Sequence, residues 1–333
     1  MKAFFLIIIA CVYSFCGIAQ PADVKPVHGT DIPLCCGLDS PSYEYSGLAR
    51  WNGNVLLVPQ YPGKWENAIF AVNDKDIDKA IAGKYKTGVP YTRITISNLA
   101  DFKSRMKGTY QGFEGAVVVG NTIYFTLEFS ESTCYLLKGY IRSQKGRTTI
   151  ALQKMFAIEK PEDAYVNAGY ESIGYLPGSK VIYVFFEKNS PEQPSVAMVD
   201  TSFGEHALTY GTFERPMFFR LTDVAAGGPH SFIGINHYFN DYQRKQKEYS
   251  YYVGDANKAA AGQQMFGADP AAHNYTAVVE LTQKGTVTEW QTRKFISYGD
   301  ENWEGIVPFR KGFLMVVDEY PRDGSPRMRY FEW

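Results

Sequence analysis

Histidine and cysteine, the usual ligands of transition metals, are scarce in this chain. The 333 residues include five of each, and no Cys-x-x-Cys or Cys/His group has the spacing of a metal site. Common hydrolase motifs are also missing: Gly-x-Ser-x-Gly, His-Glu-x-x-His and a Gly-rich phosphate loop with Lys. The missing motifs argue against a serine esterase, and the residues support hydrolysis only through a metal-activated water.

An excess of charge of either sign is lacking too. The chain has 34 Lys and Arg against 35 Asp and Glu, a formal net charge of −1. This balance gives no broad basic field, so we expect no nucleic-acid partner. Long apolar stretches with helical spacing are few, which argues against an all-helical fold. Aromatic residues are plentiful, and the 24 Tyr and 22 Phe suit β-strands packed face to face.

A short apolar run opens the chain. Lys2 precedes the apolar residues 3–10, and the small residues Gly17 and Ala19 follow at the positions that determine cleavage. Residues 1–19 are therefore predicted to be a signal peptide cleaved after Ala19. A transmembrane anchor is the weaker alternative because the run is shorter than a bilayer span. We expect a secreted or periplasmic protein that is not membrane-bound after cleavage.

Removal of this leader leaves an odd number of cysteines in a compartment where disulfides form. They are Cys35, Cys36 and Cys134. One bridge from Cys134 to Cys35 or Cys36 is one alternative, and a vicinal bond between Cys35 and Cys36 is the rarer one. We expect these thiols to be structural or idle.

A pattern recurs five times along the chain: a short polar residue opens an apolar strand, a Gly-containing turn follows, and a second polar residue closes the return strand. The copies span residues 45–60, 113–128, 170–187, 221–236 and 303–318. We call the first polar residues the openers: Ser46, Glu114, Glu171, Thr222 and Glu304. We call the second ones the closers: Gln60, Glu128, Glu187, Asn236 and Asp318.

The recurrence predicts an all-β fold, a five-bladed β-propeller with a central polar channel. In the clearest copy, Gly120-Asn121 joins two β-rich runs as a two-residue hairpin, so Glu114 and Glu128 meet at one end. The openers lie roughly 50 to 80 residues apart, close to the length of a four-stranded blade with variable loops. We expect a linker segment over 20–40 and a single propeller domain over 41–333. A long insertion from the fourth blade covers about 240–275.

The openers would form a ring, because the innermost strand of each blade lines the channel of a propeller. Three of them are carboxylates, which repel one another unless a cation lies between them. All five offer oxygen, which suits a hard cation such as Ca²⁺ better than a soft metal. The closers form a second polar ring around the first, where we place a substrate. Its carboxylates Glu128, Glu187 and Asp318 are the candidate catalytic residues.

The order Ser, Glu, Glu, Thr, Glu, ending in Trp303-Glu304-Gly305-Ile306, resembles the five-bladed calcium-activated nucleotidase (apyrase) family. More loosely, Phe113-Glu114-Gly115-Ala116 is similar to repeats of phytase-related esterase-like propellers. The first resemblance implies that the five openers hold a central Ca²⁺, with Thr222 in place of the usual Ser. The nucleotidases carry an acidic, Arg-containing segment where this chain has Gln60-Tyr61-Pro62-Gly63.

Two functions follow from this pattern. The first is an exported, metal-dependent hydrolase of a phosphate-containing or ester substrate. Cationic or imidazole side chains that lie near the proposed rim in sequence are Lys188, Arg220, His230, His237 and Arg310. The alternative is a non-catalytic propeller that binds a glycan or a protein through an aromatic rim. In this alternative the metal ion only holds the blades together. The aromatic candidates are Trp51, Trp65, Trp303, Tyr61 and Tyr320.

Overall fold

The computed structural model describes residues 27–34, 36–129, 132–161, 168–217, 219–238, 275–297, 299, 301–318 and 326–333. The predicted leader over 1–19, Cys35, the side chain of Trp65, Tyr320 and nearly all of the predicted insertion lie outside this part. A disulfide at Cys134 is not formed, since Cys134 is buried as a free thiol. No helix of the described part is long and apolar enough to cross a membrane.

The described part is all-β apart from a few short helical turns, as the sequence predicted. The first strands are β1 (Thr30–Ile32), β2 (Tyr45–Trp51), β3 (Asn54–Pro59), β4 (Ala68–Asn73) and β5 (Tyr91–Ile96). Next come β6 (Tyr110–Val119), β7 (Thr122–Phe129), β8 (Thr133–Gln144) and β9 (Arg147–Glu159). The middle of the chain gives β10 (Ser172–Tyr175), β11 (Val181–Phe185), β12 (Val196–Asp200) and β13 (Leu208–Phe213). The rest comprises β14 (Arg220–Ala226), β15 (Ser231–Tyr238), β16 (Tyr275–Lys284), β17 (Val287–Ser297), β18 (Trp303–Phe309), β19 (Gly312–Val317) and β20 (Arg327–Glu332).

These strands form antiparallel units of four, which we number 1 to 5 in chain order. Units 1 to 4 are β2–β5, β6–β9, β10–β13 and β14–β17, and unit 5 combines β18–β20 with β1. Parallel pairing joins β5 to β9 and β13 to β17, so neighbouring units merge at their outer strands. Strand β1 lies within the predicted linker and entry segment over 20–40, and its pairing with β20 makes it the last strand of unit 5.

The first strands of the units contact one another in a closed circle. Strand β2 contacts β6, β6 contacts β10, β10 contacts β14, β14 contacts β18, and β18 returns to β2. The units therefore surround a common axis, which makes the fold propeller-like.

The hydrophobic core is divided among the interfaces between consecutive units. Leu56 and Val58 pack toward unit 2, whereas Val55 and Leu57 of the same strand pack toward unit 5. Three further clusters lie between units 2 and 3, 3 and 4, and 4 and 5. Because both faces of each unit are buried, the inner strands read as continuous apolar runs rather than as alternating ones.

Short helices lie at the outside of this arrangement. Helix α1 (Asp74–Ile81) begins after Asn73, whose side chain accepts a hydrogen bond from the N–H of Lys75 and so caps the helix. Helix α2 (Leu99–Lys103) buries Leu99 and Phe102. Short 3-10 turns occupy Pro41–Tyr43 and Pro62–Trp65.

Candidate functional site

Most openers occupy β-bulges in the first strands of their units. The pairing register shifts around Ser46 in β2, Glu114 in β6, Thr222 in β14 and Glu304 in β18. The remaining opener, Glu171, directly precedes β10. A bulge takes its extra residue out of the regular alternation of a strand. The openers are therefore set apart from the apolar side chains that fill the interfaces between units.

Glycine follows several openers because the first strands approach one another closely there. A Cβ atom on Gly115 would lie 2.8 Å from the carbonyl oxygen of Glu171. A Cβ atom on Gly305 would lie 2.9 Å from the backbone nitrogen of Leu48. Contacts this short leave no space for a side chain, so glycine permits the close packing that gathers the openers.

Units 3 and 4 carry polar residues at the position of this glycine, and these side chains bind the next unit. The hydroxyl of Ser172 donates to the carbonyl of Leu221 at 2.9 Å. The carboxylate of Asp223 accepts from the N–H of Ile306 at 2.8 Å. Both side chains are fully buried. They tie the first strands together across unit boundaries.

Four openers meet in one polar cavity of about 250 Å³ at the axis. The described side chains that line it include the openers Ser46, Glu114, Glu171 and Glu304, the closers Gln60, Glu128 and Asp318, and Arg220, Glu44, Tyr61, Gln111 and Asn302. Cavities that hold drug-sized ligands usually measure about 300 to 1,000 Å³. The central cavity therefore suits an ion with a small part of a larger molecule.

The other openers and closers are placed differently. Thr222 does not line the cavity, because its hydroxyl donates to the carbonyl of Trp303 at 2.7 Å. Glu187 accepts from the N–H of Gly169 at 3.0 Å, and Asn236 donates to the carbonyl of Arg220 at 3.2 Å. These contacts hold the backbone around the cavity. The predicted metal role of Thr222 and catalytic role of Glu187 stay predictions.

Arg220 brings a positive charge into this acidic cavity. One of its terminal nitrogens lies 3.8 Å from both Glu171 and Glu187, and the other lies 3.4 Å from Glu304. It also donates to the side chain of Asn302 at 3.2 Å. A single guanidinium cannot neutralise all the carboxylates of the lining, so the cavity keeps an excess of acidic groups.

Lys160 neutralises one further carboxylate from outside the cavity. Its ammonium lies 2.9 Å from Glu128 Oε1, and both side chains are less than a tenth exposed. The same ammonium donates to the carbonyl of Phe129 at 3.1 Å. Of this pair, Glu128 lines the central cavity and Lys160 does not.

Burial and mutual repulsion disfavour the charged forms of the central carboxylates. Burial first, and then the charges of Glu128, Glu304 and Glu187, hold the pKa of Glu114 well above its usual range. Burial and the charge of Glu187 do the same to the pKa of Glu171, although Arg220 acts in the opposite direction. One oxygen of Glu171 is buried without a hydrogen-bond partner among the described residues. The cavity is thus short of positive charge.

These pKa shifts predict how the stability of the metal-free protein depends on pH. Below the unfolded pKa of about 4.5, Glu171 is protonated in both states. As the pH rises, the unfolded state ionises first, so the free energy of unfolding falls until the folded pKa is passed. We expect unfolding in EDTA to require more urea at pH 5 than at pH 7.5 on account of this group. Replacing Glu171 by Gln should flatten that slope.

The matched control for this experiment is Glu205→Gln, since Glu205 is an exposed residue in a turn. It should leave the pH slope of the parent unchanged. Equal slopes in the parent and in Glu171→Gln would show that Glu171 titrates normally, contrary to the expectation.

The cationic and aromatic candidates are scattered over the structure. Arg310 pairs with Asp78 of α1 at 2.6 Å, away from the cavity, and His237 is fully buried. Trp303 is buried in the core between units 4 and 5. Tyr61 lines the cavity, so it is the described aromatic candidate that the structure places at the site.

Several contributors to the site were missed from the sequence. Lys160 follows a long strand and no motif surrounds it. Asp223 had a usable signal, because a charged residue between Leu221 and Val224 interrupts an otherwise apolar strand. A carboxylate at such a position must find buried hydrogen-bond donors.

Comparison with known proteins gives structural likenesses without sequence relatives. No protein-family model and no curated protein sequence matches the chain. The PQQ-bound aldose sugar dehydrogenase from Streptomyces coelicolor is 12% identical, with a TM-score of 0.45 over 92% of this chain and 99% of that one. CoXyl43, a GH43 β-xylosidase/α-arabinofuranosidase from a compost microbial metagenome in a calcium-free complex with xylotriose, is 9% identical, with a TM-score of 0.46 over 92% and 94%. The β-propeller domain of Cps50 (Swd1) from Myceliophteria thermophila is 8% identical, with a TM-score of 0.37 over 86% and 83%. At these scores, no activity is transferred from them to this chain.

Proposed function

We propose that the protein is an exported five-bladed β-propeller and a metal-dependent hydrolase whose site is the central cavity. The five units are its blades, and the closed circle of first strands supports this count. The leader over 1–19 directs it to the periplasm or the medium. The substrate is a phosphate ester, a phosphate anhydride or a carboxylic ester.

The single observation that carries this proposal is the excess of buried carboxylate around an unpartnered oxygen of Glu171. The cavity side chains that could bind a metal ion offer oxygen atoms as ligands, and oxygen ligands suit Ca²⁺. Mg²⁺ is less suitable because it demands a tighter octahedral geometry. Among the described residues, no three His, Cys, Asp or Glu side chains are arranged as a preformed metal site. The residues that would hold Ca²⁺ are Ser46, Glu114, Glu171 and Glu304. The apyrase resemblance of the openers favours the same ion.

The chain's own groups have distinct tasks in this proposal. When bound, Ca²⁺ would polarise the scissile group and favour ionisation of a water molecule. Arg220 binds the negative charge that a phosphate substrate carries or that develops on the oxygen of an ester in the transition state, since its guanidinium lies within the cavity. Glu128 and Asp318 line the cavity and accept a proton from the attacking water. Glu187 keeps Arg220 in place from its buried position beside the guanidinium.

The proposed Ca²⁺ site is tested by thermal unfolding of the mature chain in EDTA. The measurement is repeated after Ca²⁺ or Mg²⁺ is restored. Ca²⁺ at a hundred times its Kd should stabilise the protein by about 2.7 kcal/mol, a rise in Tm of about 5 °C. Glu171→Gln should abolish the rise, because it removes the unpartnered carboxylate, and the exposed control Glu205→Gln should keep it. No rise with millimolar Ca²⁺ in the parent would contradict the central site.

Hydrolysis is tested separately, with nucleotides and with aryl esters of acetate and phosphate. We expect Ca²⁺-dependent release of phosphate or of the aryl alcohol, and a loss of activity in Glu128→Gln that leaves the Ca²⁺-dependent rise in Tm intact. Stabilisation by Ca²⁺ without any hydrolysis would contradict the proposal that the protein is a hydrolase. It would favour the alternative, a metal-stapled propeller that binds a glycan or a protein.

A further inference from the structure

A second cavity lies beside the central one and is larger, about 580 Å³. The end of β9 gives it Lys160, and the connection from β11 to β12 gives it Lys188, Ser190 and Gln193. Tyr210 of β13 also lines it. The volume falls within the usual range of about 300 to 1,000 Å³ for small-molecule sites. This cavity has no part in the hydrolytic function proposed above.

Lys160 faces this cavity with hydrogen-bonding capacity left over. Its side chain is only 4% exposed, and its ammonium has three N–H donors. Among the described residues, Glu128 and the carbonyl of Phe129 accept two of them. A buried charged donor without an acceptor is costly, so an oxygen atom of a ligand at this point would be favoured.

Tyr210 offers a flat surface to the same ligand. The residue is 37% exposed, and a backbone hydrogen bond from Glu159 holds its hydroxyl. The face of an aromatic ring is negatively polarised and apolar. It therefore attracts the C–H groups on one face of a pyranose ring.

The charges of the lining narrow the ligand class further. Besides Lys160 and Lys188, the carboxylates Glu159 and Glu192 line the cavity. Charges of both signs disfavour a polyanion, which the carboxylates would repel. They suit a molecule that has one anionic group for the ammonium ions and several hydroxyls that donate to the carboxylates.

We propose that the second cavity binds an anionic sugar, a single pyranose that carries a carboxylate or a phosphate. The sugar ring packs against Tyr210, and its anionic group is bound between Lys160 and Lys188. Lys160 also forms an ion pair with Glu128, which lines the central cavity. The bound sugar therefore lies next to the proposed hydrolytic centre.

The test is isothermal titration of the mature chain in EDTA with D-glucuronate, D-glucose 6-phosphate, D-glucose and inorganic phosphate. One or both anionic sugars should show saturable binding. Glucose and phosphate alone should each bind at least about tenfold more weakly, the equivalent of about 1.4 kcal/mol. If glucuronate alone binds, the anionic group that the cavity recognises is a carboxylate. If glucose 6-phosphate alone binds, that group is a phosphate.

Two variants locate the site, and both change side chains that are not fully buried. Tyr210→Leu removes the aromatic face, and Lys188→Gln removes one ammonium. Each variant should raise the Kd for the anionic sugar about tenfold. The control variant Lys180→Gln, at an exposed turn, should leave this Kd unchanged. The proposal is overturned if no probe binds, if phosphate binds as tightly as glucose 6-phosphate, or if both variants keep full affinity. Because EDTA is present throughout, these outcomes are independent of the central cation.

Discussion

Replacing Asp223 by Ala should destabilise the protein by about 3 to 5 kcal/mol, as expected when several buried donors lose their acceptor. The Asp223 carboxylate is fully buried and accepts from the N–H of Val224 at 2.8 Å and from that of Ile306 at 2.8 Å. The N–H of Leu48 contributes a further hydrogen bond. One side chain thus joins the first strands of units 4, 5 and 1.

Asp223→Asn separates the loss of acceptors from the loss of charge. Burial raises the pKa of the Asp223 carboxyl well above its usual range, although the three N–H groups act in the opposite direction. The side chain of Asn keeps one acceptor oxygen, so about half of the destabilisation should remain. The measurement is urea unfolding followed by circular dichroism. The matched control Asp101→Ala removes an exposed carboxylate from α2 and should cost less than about 1 kcal/mol.

Equal unfolding midpoints for Asp223→Ala and Asp101→Ala would show that the three N–H groups find other partners. The junction of units 4, 5 and 1 would then depend on backbone contacts and on Thr222.

Local features of the sequence were enough to predict the gathering of the polar residues. The turn at Gly120-Asn121 is confirmed, with Gly120 at a φ of +63°, and it places Glu114 and Glu128 at the same end of their hairpin. Each copy of the pattern contains its own turn, so the end of the sheet to which its opener belongs is a short-range property. This is why Ser46, Glu114, Glu171 and Glu304 could be predicted to meet.

The direction of each side chain could not be predicted in the same way. Thr222 has the hydroxyl expected of an opener, yet this hydroxyl donates its hydrogen bond to the backbone carbonyl of Trp303 in β18. Arg220 and Glu304 lie 84 positions apart in the chain, and no spacing rule connects them. Such pairings depend on which units become neighbours, which is a property of the closed ring and not of any single copy.

Replacing Lys160 by Met should cost about 3 to 5 kcal/mol, because it leaves the carboxylate of Glu128 buried without its partner. The ammonium lies 2.9 Å from Glu128, and the two side chains are 4% and 7% exposed. Burial raises the pKa of Glu128, and Lys160 is the first of the groups that act in the opposite direction. Losing Lys160 therefore raises this pKa further. Glu128 then becomes neutral at a higher pH than in the parent.

The double variant Lys160→Met with Glu128→Gln removes both charges and should recover most of the lost stability, since no unpaired ion remains. The matched control is Lys284→Met, whose partner Glu289 lies 2.5 Å away on the surface, where Lys284 is 62% exposed. Exposed pairs contribute about 0 to 1 kcal/mol, so this variant should unfold almost like the parent. Urea unfolding of the parent, of Lys160→Met, of Glu128→Gln and of the double variant gives the coupling free energy directly. If the double variant were as unstable as Lys160→Met alone, the loss would come from packing of the lysine stem and not from the charge of Glu128.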